Sequence, residues 1–299
     1  MPSIDYFDMQ KSLAGLLEEH PFLKSATLTR SILGRKIPLI TLGEGKRAVL
    51  YVGAHHGTEG VTTSVLLDFI ADYLRQYGKR ATVFEYPTDY LFRERKIYIV
   101  PMLNPDGVEY AVHGVEKENP LRERLLSMNR DSEDFSCWKA NARGVDLNHN
   151  YDAGFREYKT RELEAGLING APEGYSGEFP ESEPETAALC RFLSAKREEI
   201  VGVLTLHTRG EEILCSCADT LTAKTMAAGR VLSRFTGYRL VRPEGISALG
   251  SLSDWCISVL SRPAYTLRCG KSEALSLSED QSKIYERLRR ALFSFPFLV

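Results

Sequence analysis

The chain has 299 residues and a mass of 33.6 kDa, enough for one large domain or two ordinary ones. Hydrophobic residues make up 43% and charged residues 26%, which excludes a disordered, collagen-like or coiled-coil chain. Lys plus Arg number 38 against 40 for Asp plus Glu, and a net charge of -2 leaves no electrostatic footprint for nucleic acid or an anionic membrane.

The start, Met1 to Asp8, has acids where a secretory signal needs positive charge followed by an apolar run. No stretch reaches the roughly 18 apolar residues of a spanning helix, so the reading is a cytoplasmic protein without a membrane partner. Residues 3–19 have helical spacing and predict an N-terminal helix docked on the body. Unalternated apolar runs at Lys36–Leu42, Ala48–Ala54, Lys96–Leu103, Gly202–Leu206 and Ala264–Leu267 predict strands buried on both faces. Helical patterns lie between and beyond them at Val61–Tyr77, Glu183–Lys196, Ala223–Phe235, Ser253–Leu260 and Glu279–Phe293. Strands alternating with helices imply an α/β sandwich with a parallel or mixed sheet. The stretch from Asp131 to Pro184 reads as one long irregular segment, and long loops in compact domains are usually functional. It is expected to wrap a site at the strand ends of a single domain spanning 1–299. The six cysteines (Cys137, Cys190, Cys215, Cys217, Cys256, Cys269) are scattered through apolar segments and read as reduced thiols. Cys215-Ser-Cys217 is too tight for a CxxC motif.

Gly53-Ala-His55-His56-Gly57-Thr58-Glu59-Gly60 falls directly after a buried strand and before a helix. A His and a Glu three apart on such a turn can aim an imidazole nitrogen and a carboxylate at one point, which suits Zn²⁺. With 6 His and 40 acids, roughly 0.8 His-x-x-acid matches arise by chance, so placement carries the argument. Sites in α/β sheets form outside the carboxyl ends of strands, as this one does. His56 fits the spacing, which leaves His55 for packing or support. His207 ends another buried strand and is the candidate for the third ligand that a catalytic zinc site needs, a structural histidine being the plainer reading of it alone. The third constellation runs from Trp138 through Lys139, Asn141 and Arg143 to Asp146, Asn148, His149 and Tyr151. Its Asn and basic groups could hold a carboxylate or a peptide carbonyl, and Asp146 could orient a metal-bound histidine. A polar turn with Asx hydrogen bonds is the plainer reading of the same residues.

Five separated segments together resemble the zinc carboxypeptidases of the carboxypeptidase A superfamily. They are His56-x-x-Glu59, Met102-Leu-Asn104-Pro105-Asp106-Gly107, Gly144-Val-Asp146-Leu-Asn148-x-Asn150-Tyr151, Pro180-x-Ser182-Glu183-Pro184-Glu185-Thr186 and Leu206-His207-Thr-x-Gly210-Glu211. The resemblance covers roughly residues 5 to 295 and is nearest to bacterial γ-D-glutamyl diamino-acid peptidases that trim murein peptides. It implies a single-domain, three-layer α/β fold with a mixed, largely parallel eight-stranded sheet. It also implies a zinc ion held by His56, Glu59 and His207, with Asp146 behind His56, and a peptide or muropeptide ligand.

Two positions depart from the family pattern. Members usually read Asn-Arg-Asn where this chain reads Asn148-His149-Asn150, and a histidine cannot replace a bidentate clamp for a terminal carboxylate. The arginine that polarises the scissile carbonyl matches Lys139 or, with a small shift, Arg143. The family's general base is a glutamate in a context that matches Ala264-Tyr-Thr-Leu-Arg268-Cys-Gly270, so Arg268 stands in its place. A guanidinium accepts no proton. Three expectations follow: a working peptidase using Glu273 as substitute base; an inactive homologue keeping zinc and an anion-friendly groove lined by Arg268, Lys139, Arg143 and His149; or a small N-acyl amide hydrolase.

Overall fold

The computed structural model describes residues 4–215, 222–243, 249–271 and 281–299; Cys217 and Glu273 lie outside them. The first helix, α1 (Tyr6–Glu19), starts where the Asp5 carboxylate accepts the Asp8 backbone N–H. A hairpin follows, β1 (Lys24–Arg30) antiparallel to β2 (Lys36–Leu42). Next, β3 (Arg47–Val52) leads through a 3-10 turn at Gly57–Glu59 into α2 (Gly60–Gly78). A short ribbon of β4 (Thr82–Val83) and β5 (Tyr86–Pro87) precedes α3 (Thr88–Glu94) and β6 (Arg95–Val100). Then come α4 (Pro105–His113), α5 (Arg122–Met128), a second 3-10 turn at Leu147–His149, α6 (Phe155–Glu164) and α7 (Pro184–Ala195). The chain continues through β7 (Ile200–Thr208), β8 (Glu212–Leu214), α8 (Thr222–Thr236) and β9 (Arg239–Val241). It closes with α9 (Leu252–Ser258), β10 (Ala264–Cys269) and α10 (Gln281–Leu298).

The described residues form an eight-stranded mixed sheet in the order β1-β2-β6-β3-β7-β10-β8-β9. Its centre, β6-β3-β7-β10, is parallel throughout. Period-two alternation divides each central strand between two cores. Val49 and Tyr51 of β3 meet Met9, Phe69, Leu232 and Leu288 from α1, α2, α8 and α10. Ala48, Leu50 and Val52 meet Leu189, Leu193 and Trp255 from α7 and α9. Both faces are covered, so the central runs are apolar without alternation, and the three-layer α/β architecture follows. All five predicted strands are present as β2, β3, β6, β7 and β10, and the predicted helices as α2, α7, α8, α9 and α10. The N-terminal helix begins at Tyr6, later than the predicted 3–19. The segment from Asp131 to Pro184 is not irregular throughout, because it contains α6 and the Leu147–His149 turn. Among the described residues, no helix is long and apolar enough to cross a membrane.

The sheet releases the chain at Val52 and Val100, earlier than the apolar runs imply. The extra residues instead bond to each other beyond the strand ends. Leu103 N–H donates to Gly53 O at 3.1 Å, and Asn104 N–H donates to Ala54 O at 2.9 Å. These bonds carry the turn after β3 out to the carboxyl edge of the parallel strands, where α/β sheets place their sites.

Candidate metal centre at the strand ends

Asn104 organises this edge. Its Oδ1 accepts the Gly107 N–H and starts α4, with Pro105 in the first turn, where no donor is missed. Its Nδ2 lies 3.0 to 3.2 Å from the carbonyl oxygens of His55, Lys139 and Ala140, tying the β3 turn to the segment after Trp138. Gly57 completes the junction by donating to Lys139 O at 2.9 Å. A Cβ at Gly57 would stand 2.3 Å from Gly107 O and 2.5 Å from Trp138 O, both backbone atoms that cannot turn away. Gly57→Ala is therefore expected to destabilise the fold by about 1–3 kcal/mol, the usual cost of overpacking. Urea denaturation monitored by circular dichroism reads this directly, and an unchanged midpoint would contradict the close approach.

His56, Glu59 and His207 converge here, with one ligand atom from each within 4.8 Å of the others. Glu59 is 2% exposed, and its Oε1 lies 3.0 Å from His56 Nδ1 while also accepting the Thr208 N–H at 3.0 Å. Its Oε2 lies 3.1 Å from His207 Nδ1 but makes no well-formed hydrogen bond. The two imidazole Nδ1 atoms stand 3.4 Å apart. Asp146 receives His56 from behind: its Oδ1 is 3.2 Å from Nε2, and a carboxylate partner requires the proton on that nitrogen. Asp146 is itself fixed by backbone donors, Gly174 N–H to Oδ2 at 3.0 Å and Asn148 N–H to Oδ1 at 3.1 Å.

Electrostatics follow from this crowding. Burial alone would depress His56, but Glu59 and Asp146 outweigh it and raise the imidazole to about 10. Burial also opposes charge on Glu59, yet His56 and His207 hold that carboxyl far below the ordinary range. Asp146 is held low against its own burial, chiefly by His56 and then His149. His55 goes the other way, because burial and the neighbouring His207 and His56 rings push it well below 6.5 and keep it neutral. The residues fit a zinc ion: two imidazole nitrogens and a carboxylate face one another at close range, and a buried Glu59 oxygen has no hydrogen bond.

The remaining sequence-predicted residues are placed as follows. Lys139 Nζ is 2.7 Å from Glu173 Oε2. Arg143 Nε donates to the buried Glu183 at 3.0 Å, and Asn141 Nδ2 donates to the same oxygen at 2.7 Å. Asn148 keeps a buried Oδ1 without a partner. His149 stacks on Tyr158 with ring centroids 4.1 Å apart, and its Nδ1 is 3.1 Å from Leu249 O. Arg268 is opposite His207 in the parallel β7-β10 register, so both side chains leave the same face of the sheet. On its other side it is opposite Glu212, with Nη1 3.6 Å from Oε2, while Arg239 bonds the other Glu212 oxygen. Glu273 lies outside the described residues.

A His-Glu-His cluster at the carboxyl edge of a parallel sheet centre has the donor set and the placement of a catalytic zinc site in an α/β protein. Residues 9–284 match the zinc carboxypeptidase family, and the chain belongs to it. It is 28% identical over 285 residues to γ-D-glutamyl-L-diamino acid endopeptidase 1 of Lysinibacillus sphaericus, covering 95% of this chain and 70% of that protein. It is 27% identical over 262 residues to human carboxypeptidase B, covering 81% of this chain and 57% of that protein. Among solved structures, the murein-tripeptide amidase MpaA of Escherichia coli O157 superimposes with a TM-score of 0.54 at 20% identity, covering 91% of this chain and 90% of that one. A bovine thrombin-activatable fibrinolysis inhibitor, in complex with tick carboxypeptidase inhibitor, gives 0.70 at 17% identity over 99% and 96% of the two chains.

Sequence reasoning assigned no role to most of the groups packed behind this cluster. Thr205 bonds His207 directly and is joined through His55 to Tyr151, and Glu183 holds Arg143 and Asn141 together. Thr205 was within reach of a period-two argument, since it precedes His207 by two on one strand and shares its face. Metal-ligating histidines usually donate their second ring N–H to a fixed acceptor, and losing that partner typically costs 10- to 100-fold in affinity. Asp146→Ala is accordingly expected to weaken zinc binding by about 10- to 100-fold, measured by competition with a chromophoric chelator. Affinity within twofold of the native protein would show that Asp146 does not orient a ligand.

Proposed function

We propose that this chain binds zinc through His56, Glu59 and His207 and seats the anionic end of a peptide beside Arg268, with hydrolysis strongly impaired. Zinc there would act as a Lewis acid toward a carbonyl or water. The observation that carries the reading is the register of Arg268 with His207 at the metal-facing end of β10. A guanidinium there stays protonated and can donate to a carboxylate, but it cannot remove a proton from water. Its charge partner among the described residues is Glu212 at 3.6 Å, beyond hydrogen-bond length, and Glu212 is already engaged by Arg239. The buried, unpartnered Oδ1 of Asn148 adds an acceptor suited to a peptide N–H. Similarity to a γ-D-glutamyl-L-diamino acid endopeptidase supports murein-derived γ-D-glutamyl peptides as the ligand class. A cytoplasmic location would suit the recycling of such fragments.

Purified protein loaded with zinc is the test. Expected results are one zinc per chain, near-background release from γ-D-glutamyl-diaminopimelate and C-terminal peptide substrates, and peptide binding that weakens in Arg268→Ala. Robust native turnover that disappears in Glu273→Gln would overturn the reading in favour of a working peptidase with a relocated base.

A further inference from the structure

A hydrogen-bonded chain that ligation does not require runs behind His207. His207 Nε2 lies 3.1 Å from Thr205 Oγ1, the same hydroxyl lies 3.3 Å from His55 Nδ1, and His55 Nε2 lies 3.0 Å from the Tyr151 hydroxyl. Thr205, His55 and Tyr151 are all fully buried, and His55 also stacks on the His207 ring with centroids 5.0 Å apart. Thr62 and Asn104 hold the backbone on either side of His55, through Ala54 N–H to Thr62 Oγ1 at 2.8 Å and Asn104 Nδ2 to His55 O at 3.0 Å.

Proton counting gives the chain one direction. A lone pair on His207 Nδ1, the nitrogen facing Glu59 and His56, requires the His207 proton on Nε2, where it can go only to the Thr205 oxygen. A hydroxyl accepting there has a single proton left, and His55 Nδ1 is the acceptor within reach. That bond leaves the His55 proton on Nε2, which donates to the Tyr151 oxygen. The link from His207 Nε2–H to the Thr205 oxygen is the one that cannot be reversed while His207 Nδ1 stays open to a cation, and His55 Nδ1 is the acceptor that fixes the Thr205 hydroxyl in that role. His56 reaches the same state through the negative charge of Asp146. The two histidines are thus oriented by different means, one by a carboxylate and one by neutral groups.

We propose that His55 is a positioning residue for the metal centre: acting through Thr205, it fixes the tautomer and ring orientation of His207. The inference rests on the reading of His56, Glu59 and His207 as zinc ligands. Because the chain begins one residue before His56, it also couples the two histidines, so that a shift in the turn after β3 is felt at the end of β7.

Thr205→Val removes the hydroxyl with little change in shape, and His55→Phe keeps an aromatic ring on His207 without an acceptor. His55→Asn retains an acceptor where Nδ1 stood. The readouts are zinc affinity by chelator competition, the visible d–d spectrum of the cobalt-substituted protein, and melting of the metal-free protein. Expected results are a 10- to 100-fold loss of zinc affinity with an altered cobalt spectrum in Thr205→Val and His55→Phe, and recovery of most of the affinity in His55→Asn. A purely packing role for His55 would move the metal-free melting temperature and leave the cobalt spectrum alone. Should His55→Phe fail to fold, Thr205→Val decides alone. Zinc affinity within twofold of native and an unchanged cobalt spectrum in Thr205→Val would overturn the inference. Failure of the native protein to bind zinc would overturn this inference together with the reading of the ligands.

Discussion

Arg268→Glu, loaded with zinc, is expected to hydrolyse γ-D-glutamyl or C-terminal peptide bonds about 10²- to 10⁴-fold faster than the native protein, the usual contribution of a general base. The gain has two sources. A carboxylate at this position of β10 leaves the sheet on the same face as His207 and can accept a proton, which the guanidinium cannot. Exchanging a cation for an anion near the zinc site also removes a repulsion that weakens metal binding. Glu212, opposite in the β8 register, would then place a second carboxylate nearby. Like charge raises a carboxyl pKa and moves it toward the working pH of a base. Arg268→Gln separates the two sources, because it removes the cation without supplying a proton acceptor. It should bind zinc at least as tightly as the native protein and remain slow. Single-turnover assays at matched zinc occupancy would measure all three forms. An Arg268→Glu protein with full zinc and native rates would place this side chain outside reach of the reacting centre.

The legibility of the site in the sequence depended on how local its signals are. His56 and Glu59 share one turn, and His207 ends an uninterrupted apolar strand, so residue type and placement together marked out the three residues that the fold brings into one cluster. Asp146 was legible only through the motif around it, since its contact to His56 spans 90 positions. The Arg143–Glu183 and His55–Tyr151 contacts span 40 and 96 positions, and no periodicity predicts such pairings. The central strands were readable because burial on both faces makes them apolar throughout. The edges were not. Strand β1 reads Lys-Ser-Ala-Thr-Leu-Thr-Arg and is mostly exposed, while β8 and β9 have three residues each, too few for any pattern. Helix α6 escaped for a related reason: seven of its ten residues are polar or charged (Arg156, Glu157, Lys159, Thr160, Arg161, Glu162, Glu164), so it lacks the wide apolar stripe that marks a core-facing helix.

The second large effect is expected from a carboxyl group buried near the Arg143–Glu183 pair. Glu185 lies in the first turn of α7, is fully buried, and has neither carboxyl oxygen in a well-formed hydrogen bond. Burial raises its pKa from 4.5 to about 8, with Glu183 and Asp106 adding repulsion and backbone N–H groups offsetting only part of it. The folded protein therefore keeps a proton at pH 7 that the unfolded chain releases. Stability from this group is fully present below pH 4.5, falls as pH rises toward 8, and is flat above. At about 1.4 kcal/mol per pH unit above the unfolded value, the loss at pH 7 is roughly 3 kcal/mol. Glu185→Gln holds a neutral group of similar shape and cannot titrate, so its stability should gain on the native protein by about that amount between pH 5 and pH 7 to 8. Urea denaturation of both proteins across this range isolates the difference, because every other titrating group is common to them. Parallel stability curves would mean that Glu185 is already ionised at neutral pH and that a cation or donor near α7 compensates it.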